Sequence, residues 1–188
     1  MVQRPLLVCI AMMMFQLAGC QNTNQAVEVI IDDGWSFPHF LVGKWKAETH
    51  NWEFVLEADG TISSAVISFG RIRMKPGEVT KVPMKMGGKS VFEPGEWTVH
   101  WAGAERELTV VIRLKHFYAE LGGGVLEGKS TDVLVGEVSD DGRVWLVDWT
   151  SFPGYIAHTA KYPDFDLSAD PNYGVSKTLI FKRVTTQE

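Results

Sequence analysis

Apolar and polar positions alternate along most of this chain with a period of two. Trp52, Phe54 and Leu56 share one parity, and Glu53, Val55 and Glu57 the other. That spacing sends successive side chains to opposite faces of a strand. Asp59-Gly60 follows, and Thr61 to Phe69 returns with β-branched residues, which predicts a hairpin. Trp97, Val99 and Trp101 alternate with Thr98 and His100, and Ala102 to Glu105 turns the chain. Leu108, Val110, Ile112 and Leu114 then share a face, with Arg113 and Lys115 opposite. Gly122-Gly123-Gly124 breaks the chain before a strand over Val125 to Val138. Asp140-Asp141-Gly142 leads into Arg143 to Thr150, where Trp145, Val147 and Trp149 share a face. A last strand is predicted over Thr178 to Val184. Val27 to Ile31 forms a further candidate strand that can dock on the domain, and Asp32-Asp33-Gly34 ends it. No window carries a helical period over more than about ten residues.

Roughly eight to ten strands joined mostly by short turns predict an all-β antiparallel meander. Such a meander hides its edges by closing into a barrel, with a β-sandwich as the second architecture. Phe152 to Lys177 is the longest stretch without strand character and reads as a loop, either a lid over the barrel mouth or a plug in it.

The N-terminus has a different pattern. A single charge, Arg4, precedes an apolar run from Leu6 to Phe15 that is shorter than a membrane-spanning helix. Leu17-Ala18-Gly19-Cys20 closes it with two small residues and a thiol. Residues 1–20 resemble the signal peptide and lipobox of bacterial lipoproteins. The resemblance implies removal of residues 1–19, acylation of Cys20 and attachment to a membrane. Two or three acyl chains on one residue anchor stably. Gln21, in place of an Asp, implies sorting to the outer membrane, facing the periplasm. The other reading of this segment is a buried helix or an uncleaved anchor. The predicted organisation is a signal peptide over 1–19, an acylated cysteine and tether over 20–33, and one domain over 34–188.

Composition narrows the partners. The formal charge is −5, and removing residues 1–19 takes away Arg4 and no acid, which leaves −6. No run of Lys or Arg offers a nucleic-acid footprint. The two cysteines are Cys9 and Cys20, so the mature domain has no thiol left for a disulfide. Its stability must come from its core, and its length suits one domain.

Phe40-Leu41-Val42-Gly43-Lys44-Trp45-Lys46 resembles the first-strand G-x-W signature of lipocalins and fatty-acid-binding proteins. The hairpin from Trp52 to Ser64 is similar to the second and third strands of small bacterial lipocalin-like domains. The resemblance implies that Gly43, Trp45 and Arg183 close the barrel floor, with the Arg183 guanidinium stacked on the Trp45 indole. Such a stack gains cation–π energy.

Other motifs carry less chemistry. Gly123 to Ser130 fits the P-loop pattern, but the residues after it read as strand, whereas phosphate binding needs a helix there. No nucleotide partner is expected. Asp164 to Asp170 spaces acids like the first half of a calcium loop, yet Ala169 and Val175 stand where Gly and Glu are needed. His39, His50, His100, His116 and His158 form no zinc spacing, so neither metal nor cofactor is predicted. No nucleophile motif appears, and no enzyme activity is expected. The tryptophan pairs Trp97/Trp101 and Trp145/Trp149 either line an apolar cavity or pack as core. Two functions follow. One is binding of a small apolar or amphipathic ligand by Trp97, Trp101, Trp145, Trp149 and Tyr155 in the barrel. The other is a structural or interaction lipoprotein of the envelope with a filled barrel.

Overall fold

A computed structural model describes residues 26–32, 34, 36–67, 71–83, 88–121, 124–157 and 173–184. Among them are β1 (Val27–Ile31), β2 (Gly43–Ala47), β3 (Glu53–Leu56), β4 (Ile62–Ile67), β5 (Ile72–Met74) and β6 (Thr80–Pro83). β7 (Lys89–Pro94), β8 (Trp97–Ala102), β9 (Glu107–Leu121), β10 (Gly124–Val138), β11 (Val144–Ala157) and β12 (Ser176–Arg183) complete the set. A short 3-10 turn covers His39–Leu41, and the described residues contain no α-helix.

These strands form one sheet in the order β1-β8-β9-β10-β11-β12-β2-β3-β4-β5, with β7 also on β9 and β6 on β7. Every pair is antiparallel except β1 on β8. β7 and β8 run along the same edge of β9 in sequence. Pro94 cannot donate to a ladder, and the register shifts beside it. The Gly95 N–H then donates to the Arg113 carbonyl at 2.8 Å, and the strand resumes as β8.

The turns follow from their residues. At the β3–β4 turn the Asp59 carboxylate accepts from the Thr61 N–H at 2.9 Å and from the Thr61 hydroxyl at 2.6 Å. Gly60 supplies the left-handed backbone, at φ 86°. A Cβ there would lie 2.8 Å from both Phe37 and Val29.

The expected barrel is not closed by hydrogen bonds. β12 pairs with β2, so the last strand joins the first strand of the meander. No ladder joins β5 to β1 or β6 among the described residues. β5 is three residues long, and β1 covers the opposite edge by running parallel to β8. The sheet rolls, and its two ends meet through side chains. Gly60 approaches Val29, and Gly77 approaches Ala26. One buried cluster takes in residues from β1 to β12, so a single rolled sheet encloses the core in place of the two packed sheets of a sandwich.

The candidate strand over Val27 to Ile31 docks on the domain as β1, beside β8. One segment boundary differs from the sequence reading. Phe152 to Ala157, expected to be loop, continue β11 in register with β10. Pro153 is tolerated there because β12 reaches only as far as Thr150, so among the described residues β11 has a free edge beyond that point. Residues 158–172 of the expected lid or plug lie outside the described residues.

Candidate functional site

β9, β10 and β11 have 15, 15 and 14 residues, whereas β12, β2 and β3 have 8, 5 and 4. The long strands therefore outrun their neighbours at one end. Cross-strand partners share a face, which sorts the residues that look inward there. Leu134 stands opposite Val110 and Trp149, Asp132 opposite Ile112 and Ser151, and Ser130 opposite Leu114 and Pro153. On β10 the inward positions are apolar at Val138 and Leu134 and polar at Asp132 and Ser130, while their β9 partners Ile112 and Leu114 remain apolar and buried.

Asp132 is 8% exposed and is the one ionisable side chain among the buried described residues. The Trp149 Nε1–H donates to its Oδ1 at 3.0 Å. The side chains of Ser151 and Ser130 hydrogen-bond to it as well. Burial pushes the carboxyl above its ordinary range, and the three hydrogen bonds oppose that rise without cancelling it.

The rim around Trp149 comes from β12 and the β2–β3 turn. The Lys177 Nζ lies 5.5 Å from the Trp149 ring centroid. His50 and Asn51 both hold left-handed backbone, at φ 59° and 58°, and the turn brings the His50 ring to 5.3 Å from Trp149. Trp52 meets Trp149 edge-on at 5.8 Å and stacks on Phe54 at 5.6 Å. Trp52 is fully buried, and its Nε1–H has no acceptor among the described residues.

The residues expected to line a ligand cavity divide into two groups. Trp97, Trp101 and Trp145 are 0%, 5% and 1% exposed. Trp97 donates to the Arg113 carbonyl and Trp145 to the Gly136 carbonyl, each at 3.1 Å. Trp145 packs on Phe181 at 4.9 Å, on Phe54 at 6.4 Å and on Trp45 at 6.5 Å. Trp101 packs edge-on against Phe40 at 5.7 Å. These three rings fill the interior. Trp149 alone of the four is bonded to a carboxylate, and Tyr155 stands on the overhanging part of β11, half-buried and edge-on to Phe117 at 6.2 Å. Asp132, Ser130, Ser151, Trp52, His50 and Lys177 were not anticipated. The signal was present for the first, since Asp132 has the same parity as Leu134 and Val138, both fully buried.

The opposite end is closed. Trp45 is fully buried and donates to the Leu41 carbonyl at 2.8 Å. Arg183 is its direct cross-strand partner and donates to the Phe40 carbonyl at 2.6 Å, which holds the 3-10 turn across the opening. The cation–π contact recorded at this end is Arg106 over Phe40, at 5.2 Å. Gly43 takes φ 121°, where a side chain would be strained.

The remaining motifs are placed as follows. The P-loop-like run continues as β10 from Gly124, with strand and not helix around Lys129 and Ser130. Cys20, His158 and the acidic run 164–170 lie outside the described residues. His100 pairs with Asp32 at 2.6 Å and His116 with Glu127 at 2.8 Å. No three His, Cys, Asp or Glu residues among those described are placed to share a metal ion. Comparison with protein-family models, with curated proteins and with solved structures found no match.

Proposed function

We propose that this chain is an exported lipoprotein, held at the outer membrane by acyl chains on Cys20 and facing the periplasm. We further propose that its folded part binds a small amphipathic molecule at the Asp132 end of the rolled sheet. The lipid anchor rests on the order of charge, apolar run, small residues and cysteine in residues 1–20.

The observation that carries the binding reading is Asp132. A carboxyl group set into an apolar interior is costly, and the stability of a filled core does not call for one. Here it interrupts the apolar lining, beside two hydroxyls and an indole N–H. A ligand would place its polar group at Asp132 and its apolar part along the inner faces of Trp149 and Tyr155. Trp97, Trp101 and Trp145 would support that end from below without touching the ligand, because they are already packed.

The test is native mass spectrometry of the full chain purified from its host's membranes and released from detergent micelles. An adduct of a few hundred daltons is expected in addition to the acyl groups, and it should be lost in Trp149→Ala but kept in a folded Trp101→Phe variant. A mass with acyl groups and nothing more would sink the binding reading. The second reading, an envelope protein with a filled interior that works through protein partners, would then take its place. It is favoured by the mutual packing of Trp45, Phe54, Trp145 and Phe181.

A further inference from the structure

Asp132 is held by neutral donors only. Its partners are the Trp149 indole and the Ser151 and Ser130 hydroxyls, and no Lys, Arg or His among the described residues pairs with it. An ionised carboxylate in that position lacks a counter-charge, and a cation brought to it would meet a site already stripped of water. The aromatic surface beside it accepts cations. The Lys177 ammonium already lies 5.5 Å from the Trp149 ring centroid.

We infer that the group recognised at Asp132 is a protonated amine, so that the ligand is an organic cation with an apolar portion. This rests on the binding reading above and narrows it to one chemical class. The ammonium hydrogen-bonds to the Asp132 carboxylate, and its carbon chain runs along the Trp149 ring. Lys177 and His50, on the rim beside Trp149, are the groups that would favour an anion instead.

Three probes of equal length separate these outcomes: hexylammonium, 1-hexanol and hexanoate. Each is titrated into the full chain in detergent micelles, with protein-free micelles as the blank, and followed by tryptophan fluorescence. Hexylammonium is expected to bind about tenfold more tightly than hexanol, as one charge-assisted hydrogen bond allows, and hexanoate more weakly than either. Asp132→Asn should remove most of that advantage, read as the ratio of the amine's affinity to the alcohol's. If Asp132→Asn does not fold, Ser151→Ala, which removes one hydroxyl from the carboxyl, should change that same ratio. Equal or tighter binding of hexanol or hexanoate overturns the amine assignment and leaves the binding reading intact. No saturable response to any of the three removes both.

Discussion

Asp132 is buried and Glu53 half-buried, and their proton affinities move in opposite directions. At Glu53 burial raises the pKa, but the ion pairs to Lys44 at 2.8 Å and Arg73 at 3.0 Å outweigh it, and the result is lowered. At Asp132 the donors are neutral and burial wins, so the result is raised. The consequences for stability have opposite signs. A lowered pKa in the folded state adds stability above the ordinary carboxylate range, and that stability is lost as pH falls through the lowered value. Glu53→Gln should therefore cost about 0.5–1 kcal/mol at neutral pH, since its partners are half exposed and screened. The cost should shrink in acid, which urea denaturation at several pH values checks. A raised pKa adds stability at low pH, and that stability is lost as pH rises through the raised value. The melting temperature of the wild type, relative to Asp132→Asn, should fall as pH rises from the ordinary carboxylate range through the raised value. A constant difference across that range would mean that Asp132 is not desolvated as described.

The elements of the fold were legible wherever period and turn residues agreed. The Asp59-Gly60-Thr61 hairpin, the strands β8 to β10 and the Asp140-Asp141-Gly142 turn all stand where alternation placed them. Three features were hidden. β11 runs on through Pro153 and Gly154, two residues that read as loop unless the strand is known to be an edge there. β5 and β6 are three and four residues long, too short to show a period. The turn before Trp52 uses left-handed His50 and Asn51, with no glycine to mark it. The candidate site was partly legible. Trp149 and Tyr155 were singled out by their aromatic character, but Asp132 was passed over although it shares the parity of Leu134 and Val138, and the register adds that Ile112 and Ser151 stand opposite it. At the β3–β4 turn, Gly60→Ala should lose more than the roughly 1 kcal/mol of a left-handed alanine, because its Cβ would also press on Phe37 and Val29. Thermal melting checks this, and a loss below about 0.5 kcal/mol would show that the seam between the sheet's ends yields easily.

The molecule as a whole is a rolled sheet with one end stoppered and its middle filled. Arg183 and Trp45 hold the 3-10 turn over the closed end. Trp145, Phe54 and Phe181 fill the middle, and Trp145→Ala should cost about 3–5 kcal/mol as a large core truncation. Among the described residues, the surroundings of Asp132 combine polar groups, an unsatisfied indole and a rim with two basic side chains. At the membrane, Cys20→Ser should leave the chain unlabelled by a palmitate analogue, and labelling that persists would place the anchor elsewhere. The most direct measurement is the set of tryptophan indole N–H resonances in the nitrogen-15-labelled protein from its own host, before and after extraction of bound small molecules. The signals of Trp52 and Trp149 should shift on extraction while those of Trp97, Trp101 and Trp145 stay in place. An unchanged spectrum, or shifts confined to Trp97 and Trp101, would contradict a ligand at Asp132.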